Sequence, residues 1–305
     1  KILNEKKMFL TSNTLNSNLT NCNIILFGPS GSGKSSFIRT LYRAIYGTNF
    51  LPPGVVNKLV IKGTDQNEGT LCFTRLHLKE SSTTSSGILI CDTRGHILMN
   101  DSEKEQFKVI MQGNVKDNVE IKQIKNRNPI LFWEFWKKDS ELFPKEIFFA
   151  EKVGIESIPH SIILVFDGSK DEIIDKDDLD FYKDLILFSE KKGYFAINIV
   201  LTRIDLFEKN LTKRNKDANK NEINGIINKH KDQKIAEIID LLNVKRSNVH
   251  FIENYHSNFS SNNDEDNEIE IDYQALKTLG DIMNNSEQFI INYLNKNVVC
   301  FAKCF

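Results

Sequence analysis

Gly28-Pro-Ser-Gly-Ser-Gly33-Lys34-Ser35 has the spacing G-x-x-x-x-G-K-[ST], which is that of a phosphate-binding loop. Glycines in such a loop let the backbone wrap an anion so that successive N–H groups point inward, and a helix starting near Gly33 would add its positive end. Lys34 would neutralise β- and γ-phosphate oxygens, and the Ser35 hydroxyl would ligate Mg²⁺. Gly28, Ser30, Gly31, Ser32, Gly33, Lys34, Ser35 and Ser36 are the candidate phosphate-binding residues, with Lys34 also a catalytic candidate. The competing reading is a chance glycine-rich turn, which at ordinary residue usage arises in roughly one chain in a hundred of this size.

Four further places complete a nucleotide chemistry. Asp92-Thr-Arg-Gly95 follows a buried apolar run, so Asp92 can hold the Mg²⁺ hydration shell and the Gly95 N–H can grip a γ-phosphate. His96 then stands where a side chain could orient an attacking water; the alternative is an exposed histidine with no role. Thr202-Arg-Ile-Asp205 follows another apolar run. A carboxylate at Asp205 can accept from guanine N1–H and N2–H₂, each bond worth about 1.5–3 kcal/mol, whereas adenine offers no such donor pair. Arg203, with a long stem and planar head, can lie over the base, and Thr202 leads the motif. Asn254 and Tyr255 sit where a loop could close over the base. Mg²⁺ chemistry also wants a threonine on a mobile loop, and Thr70 is the choice over Thr64.

Elements of the right kind flank these residues. Short apolar strands are expected at 23–27, 87–91, 160–166, 194–201 and 248–253, with an alternating strand near a sheet edge at 71–79. Helices are expected after Gly33 up to Gly47, and at 172–192, 232–242 and 274–296. Strands alternating with helices predict an α/β, mostly parallel, doubly wound sheet with helices on both faces. Residues 1–20 read as a polar extension, and 21–300 as a single domain with additions at 113–158 and 208–231. The first addition carries Phe132, Trp133, Phe135 and Trp136, read as core beneath it rather than as an interaction patch. The Lys/Asn-rich second addition reads as a solvated face, and the acidic run 260–272 as a solvated loop.

Composition narrows the class. The chain has 305 residues, 40% hydrophobic and 27% charged, which supports a buried core. A net charge of −1, and a basic segment without interleaved aromatics, argue against nucleic acid. No apolar run approaches the length of a transmembrane segment. Five scattered cysteines without a C-x-x-C pair suit a reducing, cytoplasmic setting.

The order of these motifs resembles the GTPase branch of P-loop proteins over roughly residues 22–257, with Arg203 where a lysine is usual. Immunity-associated GTPases with T-R-K-D look similar. Longer stretches are closer to the interferon-induced protein 44 family: Gly28 to Phe37, Leu89-Ile-Cys-Asp-Thr93, Met111-Gln-Gly-Asn-Val115 and Phe251-Ile-Glu-Asn-Tyr-His256. That resemblance implies a Ras-like fold and a cytoplasmic GTP/GDP-binding protein of the immune or stress-response type, using Mg²⁺. It also implies an unidentified protein effector. Ser30, in place of a Ras-type glycine, resembles GTPases that form a homodimer across their nucleotides. The family's apolar residue at the place of His96 leaves catalysis there a property of this chain alone. The runner-up is a nucleotide-holding scaffold without turnover, and a P-loop kinase or ATPase is a third option.

Overall fold

The computed structural model describes residues 19–47, 72–81, 86–93, 95, 101–113, 115–117, 119–120, 154–194, 196–216, 218–255 and 265–302. Seven strands among them form one sheet: β1 (Asn21–Phe27), β2 (Cys72–Lys79), β3 (Gly87–Asp92), β4 (Val119–Glu120), β5 (Ser161–Asp167), β6 (Ile197–Thr202) and β7 (Val249–Phe251). Their order is β4-β2-β3-β1-β5-β6-β7. The β3, β1, β5, β6 and β7 neighbours run parallel, and only β2 pairs antiparallel, with β3 and β4. Central strands buried on both faces read as continuous apolar runs, which is why Ile24–Phe27 and Ile162–Phe166 have no polar alternation. The α/β, mostly parallel, doubly wound architecture expected from the sequence is the one found.

Six α-helices are found among the described residues: α1 (Lys34–Tyr46), α2 (Asp101–Met111), α3 (Leu179–Lys191), α4 (Ile204–Arg214), α5 (Lys220–Leu242) and α6 (Glu265–Ala302). Helix α1 packs with α6 on one face, while on the other α3 lies against both α2 and α5. Helix α1 turns Phe37, Ile38, Leu41, Tyr42 and Ile45 into the core and ends at Gly47, whose φ of 65° a residue with a Cβ rarely adopts. None of the described helices is long and apolar enough to cross a membrane.

Three boundaries differ most from expectation. The helix expected from 172 begins at Leu179, because the Asp175 carboxylate accepts from the Asp177 N–H and closes a 3₁₀ turn over Lys176–Asp178 first. The stretch 208–231 is largely helical, split between α4 and α5. Helix α5 starts at a capping box in which Asn219 accepts from the Asn221 and Glu222 N–H groups, and the Glu222 carboxylate accepts from the Asn219 N–H. The acidic run is not all loop, since α6 already begins at Glu265; Glu268 pairs with Arg43 of α1 at 2.6 Å.

Below the sheet, at the amino ends of its strands, the buried His160 imidazole joins β1 to β5. Its Nδ1 accepts from the Asn23 N–H (3.0 Å), so the proton sits on Nε2, which donates to the Ile155 carbonyl (2.8 Å). Burial holds its pKa down at about 4, against an ordinary 6.5. The unfolded chain therefore takes up the proton first as pH falls. The stability this neutral ring contributes is complete above about pH 6.5 and is lost progressively towards pH 4, by about 3 kcal/mol. Urea unfolding of wild type and of His160→Gln at pH 7 and pH 4.5 is expected to show a steeper acid loss in wild type. Equal losses would place the acid sensitivity elsewhere.

Candidate functional site

The nucleotide-site motifs that the structure describes lie at the carboxyl ends of the parallel strands. The chain leaves β1 in the crevice between β3 and β5, the switch point where open α/β sheets place ligands. Gly28 opens the loop at φ 152°, and a Cβ there would stand 2.1 Å from the Val165 carbonyl oxygen of β5. Only glycine lets the loop press that closely on the neighbouring strand. Gly31 and Gly33 continue at φ 74° and 92°, and α1 begins at Lys34.

The Lys34 side chain folds back over this loop, its ammonium donating to the carbonyls of Gly28 (3.1 Å) and Pro29 (2.9 Å). Burial lowers its pKa to about 8, with the Asp92 carboxylate pulling the other way. Ser35 Oγ donates to Asp92 Oδ2 at 2.6 Å, and Asp92 is wholly buried at the end of β3. A hydroxyl and a carboxylate in contact are oxygen donors of the kind that suit a hard cation such as Mg²⁺. Gly95 approaches so closely that a Cβ would fall 2.4 Å from Ser30 Cα, which brings the D-x-x-G segment onto the phosphate loop.

From β6 the T-R-x-D motif reaches the same loop. The buried Thr202 hydroxyl donates to the Ser32 carbonyl at 2.6 Å. Arg203 adopts the left-handed region at φ 57°, unusual for a residue with a side chain, and its guanidinium donates to the Gly31 carbonyl at 2.9 Å. Asp205 follows in the first turn of α4, half-buried. Phosphate loop, Ser35–Asp92 pair and T-R-x-D are thus one cluster.

Asn254 and Tyr255 are placed differently from each other. The Asn254 side-chain carbonyl accepts from Thr40 Oγ1 at 3.2 Å, and its amide nitrogen would be 3.2 Å from a Cβ at Gly33, so it stands beside the start of α1. The Tyr255 hydroxyl is within hydrogen-bonding distance of the Glu268 carbonyl (2.9 Å) and Asp272 Oδ1 (2.8 Å), while Arg43 lies over its ring at 3.7 Å. These side-chain contacts fasten α1 to α6. Thr64, Thr70, His96 and the Phe132–Trp136 cluster lie outside the described residues.

The sequence reading passed over Asp167. It ends β5, and its Oδ2 accepts from Arg203 Nη1 at 2.6 Å. The only available signal was an acid directly after a buried apolar run, a place where open sheets put functional side chains.

No protein-family model and no curated protein matches this sequence. Among solved structures, that of Toc33 from Arabidopsis thaliana in complex with GDP and Mg²⁺ is similar at 12% identity, covering 93% of this chain and 91% of that one, with a TM-score of 0.48. A dimerization-deficient mutant of Toc33 gives 12% identity over the same shares, with a TM-score of 0.47. The strand order and loop geometry above establish the fold without these likenesses.

Proposed function

We propose that this chain binds GTP and GDP with Mg²⁺ and hydrolyses GTP slowly, as a switch of the immune or stress-response type. The observation that carries the reading is the convergence of Lys34, the Ser35–Asp92 pair and the Thr202–Arg203 side chains on one glycine loop at the carboxyl edge of the sheet. Loop N–H groups and the Lys34 ammonium would take the phosphates, and Asp205, just beyond Arg203, would read the guanine edge. Ser35 and Asp92 would hold the magnesium ion, which, when bound, neutralises triphosphate charge. Thr70 (or Thr64) would close over that centre, His96 would orient water, and Asn254 would face the nucleotide from the start of α1, with Tyr255 behind it.

The resemblance to the interferon-induced protein 44 family supports the immune setting. Buried free thiols at Cys22 and Cys91 support a cytoplasmic one. A second copy facing Ser30 across the nucleotide would complete the hydrolytic site, and a protein effector would read its state.

Single-turnover release of γ-phosphate, followed as protein concentration rises, tests this function. Slow release that accelerates with concentration is expected, and His96→Ala should slow it with affinity near normal. No release at any concentration would make the chain a nucleotide-holding scaffold instead.

A further inference from the structure

We propose that Asp167 is a positioning residue for the base: it fixes the plane of the Arg203 guanidinium so that one face serves as the platform on which guanine stacks. The proposal rests on the guanine-nucleotide function above. It starts from the side chain at position 203, an arginine and not a lysine. A lysine ammonium is a point charge that can satisfy a loop carbonyl from many directions, whereas a guanidinium is a rigid plane needing acceptors at defined angles. This chain supplies two. Nη1 donates to Asp167 Oδ2 at 2.6 Å and Nη2 donates to the Gly31 carbonyl at 2.9 Å. Two bonds from two different nitrogens leave the plane little freedom to rotate.

The carboxylate is itself held. Asp167 Oδ1 accepts from the Ser169 N–H (3.0 Å) and from Ser169 Oγ (2.6 Å), closing a turn at the end of β5. One residue further on, the Lys170 carbonyl accepts from Lys234 of α5, whose ammonium stands 4.9 Å from the Phe207 ring centre. The brace thus runs from α5, through the turn after β5, to Arg203 and on to the phosphate loop. The left-handed backbone at Arg203 is unfavourable for a residue with a side chain, and here the side chain reaches Gly31 and Asp167. Asp167 is only 11% exposed while Arg203 is 43% exposed, so the charge is anchored at its edge and open on its side. An open guanidinium face held at its rim is what stacking on a purine requires. The same bonds couple base to phosphate, because the residue beneath the base also grips the Gly31 carbonyl.

The test compares GTP with a base-free ribose triphosphate, titrated with Mg²⁺ into wild type, Asp167→Ala and Arg203→Ala. Asp167→Ala is expected to weaken GTP about tenfold and the base-free triphosphate less than about twofold. In the Arg203→Ala background the same change should cost nothing more, because the plane it positions is gone. Asp167→Asn, which keeps an acceptor but not the charge, is expected to lose GTP about threefold and supplies the readout if the alanine variant does not fold. Equal loss of both ligands would show a brace for the phosphate loop alone and overturn the proposal. So would no loss of either, or full additivity with Arg203→Ala. If wild type takes the base-free triphosphate as tightly as GTP, the guanine reading itself fails, whatever the variants do.

Discussion

Lys34→Ala is expected to abolish tight nucleotide binding, with a loss of at least about a hundredfold for GTP and GDP alike. The ammonium is the cation that the structure places over the phosphate loop, held there by the Gly28 and Pro29 carbonyls. A triphosphate entering the loop would take over those bonds as charge-assisted ones in a buried setting, where they are stronger than at a surface. Wild type carries a companion signature. With the pKa lowered to about 8, the free protein has lost about half of this charge by pH 8, and binding must then recover a proton. Affinity should be insensitive to this group below about pH 7 and fall towards tenfold per pH unit well above pH 8. Titration calorimetry from pH 7 to pH 9.5 checks both, with a thermal melt to show that the variant is folded. Retained affinity in Lys34→Ala would remove the phosphate cradle as the binding site.

Asp205→Asn should exchange the base preference rather than merely weaken it. A carboxylate accepts from guanine N1–H and N2–H₂, and loss of two charge-assisted bonds corresponds to a drop of about a hundredfold or more for GTP. The asparagine amide offers a donor instead, which complements the carbonyl that xanthine presents where guanine has its amino group. Competition of xanthosine and guanosine triphosphates against one labelled nucleotide should therefore invert between wild type and variant. An unchanged order would assign guanine reading to other residues.

The cradle was legible because its chemistry needs particular residue types at fixed spacing, and because flanking apolar runs told strand from helix. Thr202 and Arg203 were legible as a motif, but their partners were not. Nothing local in the sequence shows that the Thr202 hydroxyl is spent on the Ser32 carbonyl, or that Asp167 waits beside Arg203; both contacts cross from one strand end to another. The partners of Tyr255 were hidden for the same reason. Its place after β7 suggested a loop over the base, yet its hydroxyl meets α6, the helix that begins inside the acidic run. That run read as loop because its charges outnumber its apolar residues, Ile269 and Ile271, although Ile271 is buried. Helix α5, in contrast, could have been found from its first turn, where Asn219 and Glu222 stand at capping-box spacing ahead of Ile223 and Ile227.

The most direct measurement of the central claim is isothermal titration of the folded full chain with GTP, GDP and ATP in the presence of magnesium. One site per chain, saturated by either guanosine phosphate and at least about tenfold tighter than ATP, is the predicted result. Absence of heat with any guanosine phosphate, or equal affinity for ATP, would contradict it.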